Sequence, residues 1–101
     1  MELVIPVGQA AALGPLAATV DNRGMTCAQG ILRLLRVLRT APPGGVVKVL
    51  STDRAAEQDY PAWCRNTGHV FLGHVEEDDD RWGPLIVSFI RKRALSAGGD
   101  R

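Results

Sequence analysis

Cys27 and Cys64 are the two thiols of this 101-residue chain and its best candidates for nucleophilic sulfur chemistry. Lying 37 positions apart, they fit neither a disulfide framework nor a four-cysteine zinc site. Their settings differ. Thr26 and Gln29 stand at capping-box spacing, which sets the Thr26 hydroxyl to accept from the Gln29 backbone N–H and puts Cys27 at the first helical position. Unpaired N–H groups and the positive end of the helix dipole favour a thiolate there. Arg23 lies one turn before it, and no acid stands close after Asp21. The expectation is an exposed, polarised thiol with Arg23 as its electrostatic neighbour. The opposing expectation is a small buried filler, as free cysteines often are. Cys64 shares a helical face with Tyr60 and Trp63, which assigns it to the core. Cys64-x₄-His69-x₄-His74 is not a recognised ligand spacing, so no metal is expected. The acids from Glu76 to Asp80 lack partners for acid–base work and read as a solvated turn.

The elements that must position Cys27 follow from the surrounding pattern. A short strand is expected over 17–20, with Asp21-Asn22-Arg23-Gly24 as a turn. Ile31, Leu34, Leu35 and Leu38 recur at helical spacing and form a buried face, while Arg33, Arg36 and Arg39 make a basic stripe on another. Pro42-Pro43-Gly44-Gly45 ends that helix. Val46 to Leu50 reads as a strand parallel to the first. Ser51 to Tyr60 reads as turn-like, with a short helical start at Asp53 as an option. A second helix is expected over Pro61 to Thr67, stopped by Gly68. Strands over Val70–Glu76 and Pro84–Arg91 follow, separated by a turn at Glu77 to Asp80. This order, βαβαββ, predicts a two-layer α/β sandwich: a mixed four-stranded sheet covered on one face by two helices. Residues 1–16 read as an extension with an optional edge strand, 17–93 as the domain, and 94–101 as a flexible tail.

Several of these segments resemble the TusA/SirA-like family of small sulfur carriers. They are Asp21-Asn22-Arg23-Gly24-Met25-Thr26-Cys27, Ile31-Leu32-Arg33-Leu34, Pro43-Gly44-Gly45, Val47-Lys48-Val49, Thr52-Asp53 and Pro61-Ala62-Trp63-Cys64-Arg65-Asn66-Thr67-Gly68-His69. The resemblance runs in order from about Val20 to Arg91. It implies the same βαβαββ sandwich and a single essential cysteine, aligned with Cys27, that carries sulfur as a persulfide. It also implies two partners, a sulfur donor (a cysteine desulfurase or rhodanese-like protein) and an acceptor in a sulfur relay. The helix start that favours a thiolate would also favour the anionic persulfide. Arg23, Arg33 and Arg36 are candidates for electrostatic or docking contacts with an acidic partner surface; the plain alternative is a solvated helix face. The family pattern is Cys-Pro-x-Pro, whereas this chain reads Cys27-Ala28-Gln29-Gly30. Gly30 is expected to loosen the helix by up to about 1 kcal/mol relative to alanine. The Thr26/Gln29 cap is expected to compensate in part, an N-cap contributing about 1 kcal/mol.

Composition bounds the rest. Twelve basic and eleven acidic residues leave a charge of +1, which gives no global drive toward nucleic acid. The near balance hides a segregation: 22–52 carries five cations and no acid, and 53–80 carries eight acids and two arginines. That pattern suits docking on a charged protein surface. Five aromatics offer few stacking platforms. No leader or apolar span of membrane length is expected, so the reading is a reducing, cytoplasmic setting without a cofactor. Two functions are carried forward: a sulfur carrier using Cys27, and a non-catalytic interaction or regulatory module that keeps the fold but not the chemistry.

Overall fold

A computed structural model describes residues 16–93; the expected N-terminal extension before residue 16 and the tail 94–101 lie outside the described residues. Strand β1 (Leu16–Asn22) is followed by helix α1 (Cys27–Thr40), β2 (Val46–Ser51), α2 (Ala56–Thr67), β3 (Val70–Asp79) and β4 (Gly83–Arg91). The sheet order is β1-β2-β4-β3. β1 and β2 are parallel, and the other two pairings are antiparallel. The mixed four-stranded βαβαββ fold is therefore the one expected.

Alternation along β4 sorts its side chains to two sides. Ile86 and Ile90 join Val20, Leu34, Leu38, Val47, Val49, Tyr60 and Cys64 in the main core beneath the helices. Leu85, Val87 and Phe89 gather with Val46 and Val75 in a second buried cluster. Leu34 and Leu38 supply the anchor of α1, each worth about 1.5–3 kcal/mol of burial.

Four boundaries differ from the sequence reading. Asp21 and Asn22 extend β1 instead of starting the turn, because they stay in register with Leu50 and Ser51. Helix α2 begins at Ala56, five residues before Pro61. Asp53 makes that start possible: its Oδ1 accepts from the Ala55 N–H and its carbonyl from the Ala56 N–H. Leu16, assigned to the extension, already belongs to β1 opposite Val46. The acids Glu77 to Asp79 are strand residues, paired with Leu85, Pro84 and Gly83; the hairpin turn starts three residues later than expected, at Asp80–Trp82. Solvated acids tolerate an exposed strand edge as readily as a loop, which is why composition misplaced this turn.

The last register pair of β1 and β2 is Asn22↔Ser51. Two parallel strands therefore end side by side and release two loops next to each other, 23–26 and 52–55. Each loop leads into a helix. In open α/β sheets this edge, beyond the carboxyl ends of parallel strands, is where sites form.

Candidate functional site

Cys27 is the first residue of α1, and its frame is tightly specified. Thr26 is the N-cap: its side chain accepts from the Gln29 N–H at 3.2 Å, and the Thr26 N–H donates to Gln29 Oε1 at 3.1 Å. The capping box is complete, as the spacing predicts. Gly24, in the left-handed conformation (φ 81°), donates its N–H to Thr52 Oγ1 at 2.9 Å. The Cys27 N–H donates to Asp53 Oδ2 at 2.9 Å. These two bonds sew the loop before α1 to the loop before α2.

The thiol environment departs from the expectation in two ways. Cys27 is buried, with 6% of its surface exposed, so the exposed nucleophile is corrected to a recessed one. Burial pushes its thiol pKa up to about 12, and the carboxylates of Asp59 and Asp53 push the same way. The reason is visible in the helix start. The first free N–H of α1, which the sequence reading reserved for an anionic sulfur, is already taken by the Asp53 carboxylate.

Arg23 is not the cation beside the thiol. Its guanidinium binds Asp21 at 2.8 Å and Asp79, at the β3–β4 hairpin, at 3.2 Å. Asp79 Oδ2 also accepts from the N–H groups of Arg81 and Trp82. The hairpin tip is thereby clasped to the loop before Cys27, with the Trp82 ring over Gly24: a Cβ at position 24 would stand 2.9 Å from it.

Arg33 and Arg36 are exposed on α1 and, with Met25, Gln29 and Leu32, line a shallow groove of about 310 Å³. Leu32, 61% exposed, is its apolar member. Cys64 lies in the core as expected, its thiol also raised to about 12 but by burial alone. His69 stacks on Trp63 with ring centres 5.5 Å apart and accepts from the Arg93 N–H, while His74 is buried in β3 opposite Ser88. Among the described residues no three His, Cys, Asp or Glu side chains converge as metal ligands. No described helix is long and apolar enough to cross a membrane.

Behind Cys27 lies a buried polar cluster that the sequence reading missed. Asn22 Nδ2 donates to the Gly30 carbonyl and to Tyr60 Oη, both at 3.1 Å, and Ser51 Oγ donates to the same Tyr60 oxygen at 3.2 Å. A Cβ at position 30 would stand 2.6 Å from Asn22 Nδ2 and 2.9 Å from Tyr60 Oη. Gly30 is thus not a loosened helix residue. Its missing side chain admits a clamp that holds the first turn of α1 against β1, β2 and α2. Asp53 and Asp59 were missed as well. Thr52-Asp53 was visible as a motif, but only the folded loop shows that its carboxylate reaches another helix.

The site is acid-sensitive. The Arg23 hydrogen bond holds the Asp21 pKa down at about 2, backbone N–H groups of Ala55 and Cys27 lower Asp53, and those of Trp82 and Arg81 lower Asp79. Folded values below the unfolded carboxylate range of about 4 mean stabilisation that is fully present above that pH and lost as pH falls toward the folded values. The unfolding midpoint should therefore fall between about pH 5 and about pH 2. A midpoint that stays level over that interval contradicts the assignment.

A family model described as sulfurtransferase TusA matches residues 18–88. The sulfur carrier protein TusA of Pseudomonas fluorescens (strain SBW25) is 32% identical over 81 residues, covering 80% of this chain and 92% of that protein. The protein of the same name from Pseudomonas entomophila (strain L48) is 38% identical over 77 residues, covering 76% and 90%. That of Pseudomonas paraeruginosa (strain DSM 24068 / PA7) is 32% identical over 80 residues, covering 79% and 95%.

Proposed function

The chain belongs to the sulfurtransferase TusA family, and from that premise we propose that it is a sulfur carrier whose Cys27 accepts sulfur as a persulfide from a donor protein and passes it to an acceptor. The observation that carries this reading is the placement of Cys27 at the start of α1. There the capping box and the Asp53 bond fix the backbone on both sides of the sulfur. Loading is a thiol exchange without net oxidation. The Cys27 sulfur attacks the terminal sulfur of the donor persulfide, the donor's S–S bond breaks, and the donor thiolate takes up the proton that Cys27 gives away. Unloading is the same step with Cys27 as the donor. Free thiols at both cysteines suit a reducing, cytoplasmic setting. The partners proposed are a cysteine desulfurase or rhodanese-like donor and a sulfur-relay acceptor.

One observation favours a second reading, a non-catalytic module of the same fold: the thiol is recessed and flanked by carboxylates. Mass spectrometry of the reduced protein after incubation with a cysteine desulfurase and cysteine separates the two. The carrier gains the mass of sulfur on Cys27, loses that gain in Cys27→Ser and keeps it in Cys64→Ser. A wild-type protein that never gains sulfur on Cys27 leaves the module reading standing.

A further inference from the structure

The sheet buries apolar side chains on both faces, yet both helices lie on one of them. Leu34 and Leu38 of α1 and Tyr60 and Cys64 of α2 pack with Ile86 and Ile90 of β4. Leu85, Val87 and Phe89 alternate with those isoleucines, so they face the opposite side, where they gather with Val46 and Val75. That second cluster consists of strand residues alone. A sheet face with nothing over it leaves its apolar side chains in water, but Val87 is 0% exposed and Phe89 5%. The same face is open at β1, where Thr19 and Asp21 alternate with the core residue Val20 and are exposed. The burial is therefore local to β2, β4 and β3, and it is complete within one chain. Among the described residues, no helix supplies the cover.

We propose that the chain's own segment 1–15 lies across this face as a strap, its apolar run 3–7 resting on Val87 and Phe89. Composition favours this segment over the other terminus: it holds Leu3, Val4, Ile5, Val7 and Leu13, whereas 94–101 holds Leu95 as its one large aliphatic residue. Leu3, Ile5 and Val7 are spaced two apart, the period that puts side chains on one side of an extended chain. The attachment point fits as well. The segment joins the sheet at Leu16, which is paired with Val46, a member of the buried cluster. From β1 to β3 is three strand spacings, about 15 Å. At about 3.3 Å per extended residue, about five residues cross that width, well within the length of 1–15. Because the burial is complete without a second copy, the chain's own segment is the occupant. The strap closes this face to partners and leaves the helical face and the loop edge at Cys27 for docking. It is independent of the chemistry at Cys27, so its test and that of sulfur loading are read separately.

Nuclear Overhauser contacts in the full-length wild-type protein test the strap directly. The Phe89 ring and the Val87 methyl groups should show contacts to methyl groups of Leu3, Ile5 or Val7. In a mixture of isotope-labelled and unlabelled chains these contacts should stay within one chain. Contacts that run between chains would make a second copy the occupant, and a Phe89 ring with no contact to 1–15 would have another cover; either result overturns the proposal. Ile5→Asp in the full chain reads the energetic side. A carboxylate forced against an apolar face should lower the unfolding midpoint by several degrees and raise anilinonaphthalene sulfonate fluorescence several-fold, as Val87 and Phe89 become wet. Gln9→Asp adds the same charge to the same segment at a polar position and should change neither. Two variants that behave alike would also overturn it.

Discussion

In isolation Cys27 should alkylate slowly at neutral pH, and its rate should keep climbing with pH where an ordinary thiol has levelled off. The thiol is held up at about 12, against about 8.5 for a free cysteine. At pH 7 the thiolate fraction is therefore lower by about three and a half orders of magnitude. A more basic thiolate is also a better nucleophile, with a Brønsted slope of about 0.4–0.5 that returns roughly half of that loss on a logarithmic scale. The net expectation is an iodoacetamide rate about a hundredfold below that of a simple thiol, before any further slowing by the 6% exposure of the residue. Peptide mapping of the labelled protein over a range of pH reads Cys27 and Cys64 separately. Both should show rates that rise about tenfold per pH unit beyond pH 9. Asp59→Asn should accelerate Cys27 and leave Cys64 where it is, because burial alone acts on Cys64. A plateau for Cys27 near neutrality would mean an already ionised thiol and would refute the carboxylate-guarded site.

The contrast between these two cysteines shows what could be read from the sequence and what could not. Local pattern is decisive for the cap: Thr26 and Gln29 are three residues apart, so their reciprocal bonds depend on one turn of helix and nothing else. The order of elements and the burial of Leu34, Leu38 and Cys64 are legible for the same reason, since periodicity records which side of an element faces the core. The charge at the sulfur is not local. Asp53 and Asp59 are 26 and 32 residues away from Cys27 in sequence, and they come to it only because β1 and β2 end together. The sequence window around Cys27 is basic, so reading the helix dipole and Arg23 alone has the sign of the field reversed. Arg23 misleads only partly for that reason: Asp21 lies two residues before it, but its second partner, Asp79, comes from the hairpin 56 residues away. A helix terminus predicts an anion site only until it is known whether the fold has already placed a carboxylate there.

Replacing Gly30 should lower stability, although helix propensity alone predicts the reverse. Alanine is favoured over glycine by up to about 1 kcal/mol inside a helix. Here its methyl group would meet Asn22 Nδ2 at 2.6 Å and Tyr60 Oη at 2.9 Å. Both atoms belong to buried side chains fixed by hydrogen bonds to the Gly30 carbonyl, to each other and to Ser51. Moving them breaks a buried polar cluster, and overpacking of this kind costs about 1–3 kcal/mol. Gly30→Ala should therefore lower the unfolding midpoint by several degrees, at about 4–8 °C per kcal/mol for a domain of this size. Gly30→Pro, which restores one residue of the family's Cys-Pro-x-Pro, should be worse. It removes the Gly30 N–H bond to the Thr26 carbonyl, the first of the helix, and sets the proline ring against that carbonyl, adding about 3 kcal/mol. The motif prolines and the Asn22–Gly30–Tyr60 clamp are in this sense alternative ways to hold the same turn, and one cannot be laid over the other. Removing the obstruction tests that equivalence directly. In an Asn22→Ala, Tyr60→Phe background, which is itself destabilised, the further cost of Gly30→Ala should shrink or change sign. Thermal unfolding of the four proteins of this cycle gives the coupling, and a cost at position 30 that is the same in both backgrounds would show that the clamp is not what requires glycine there.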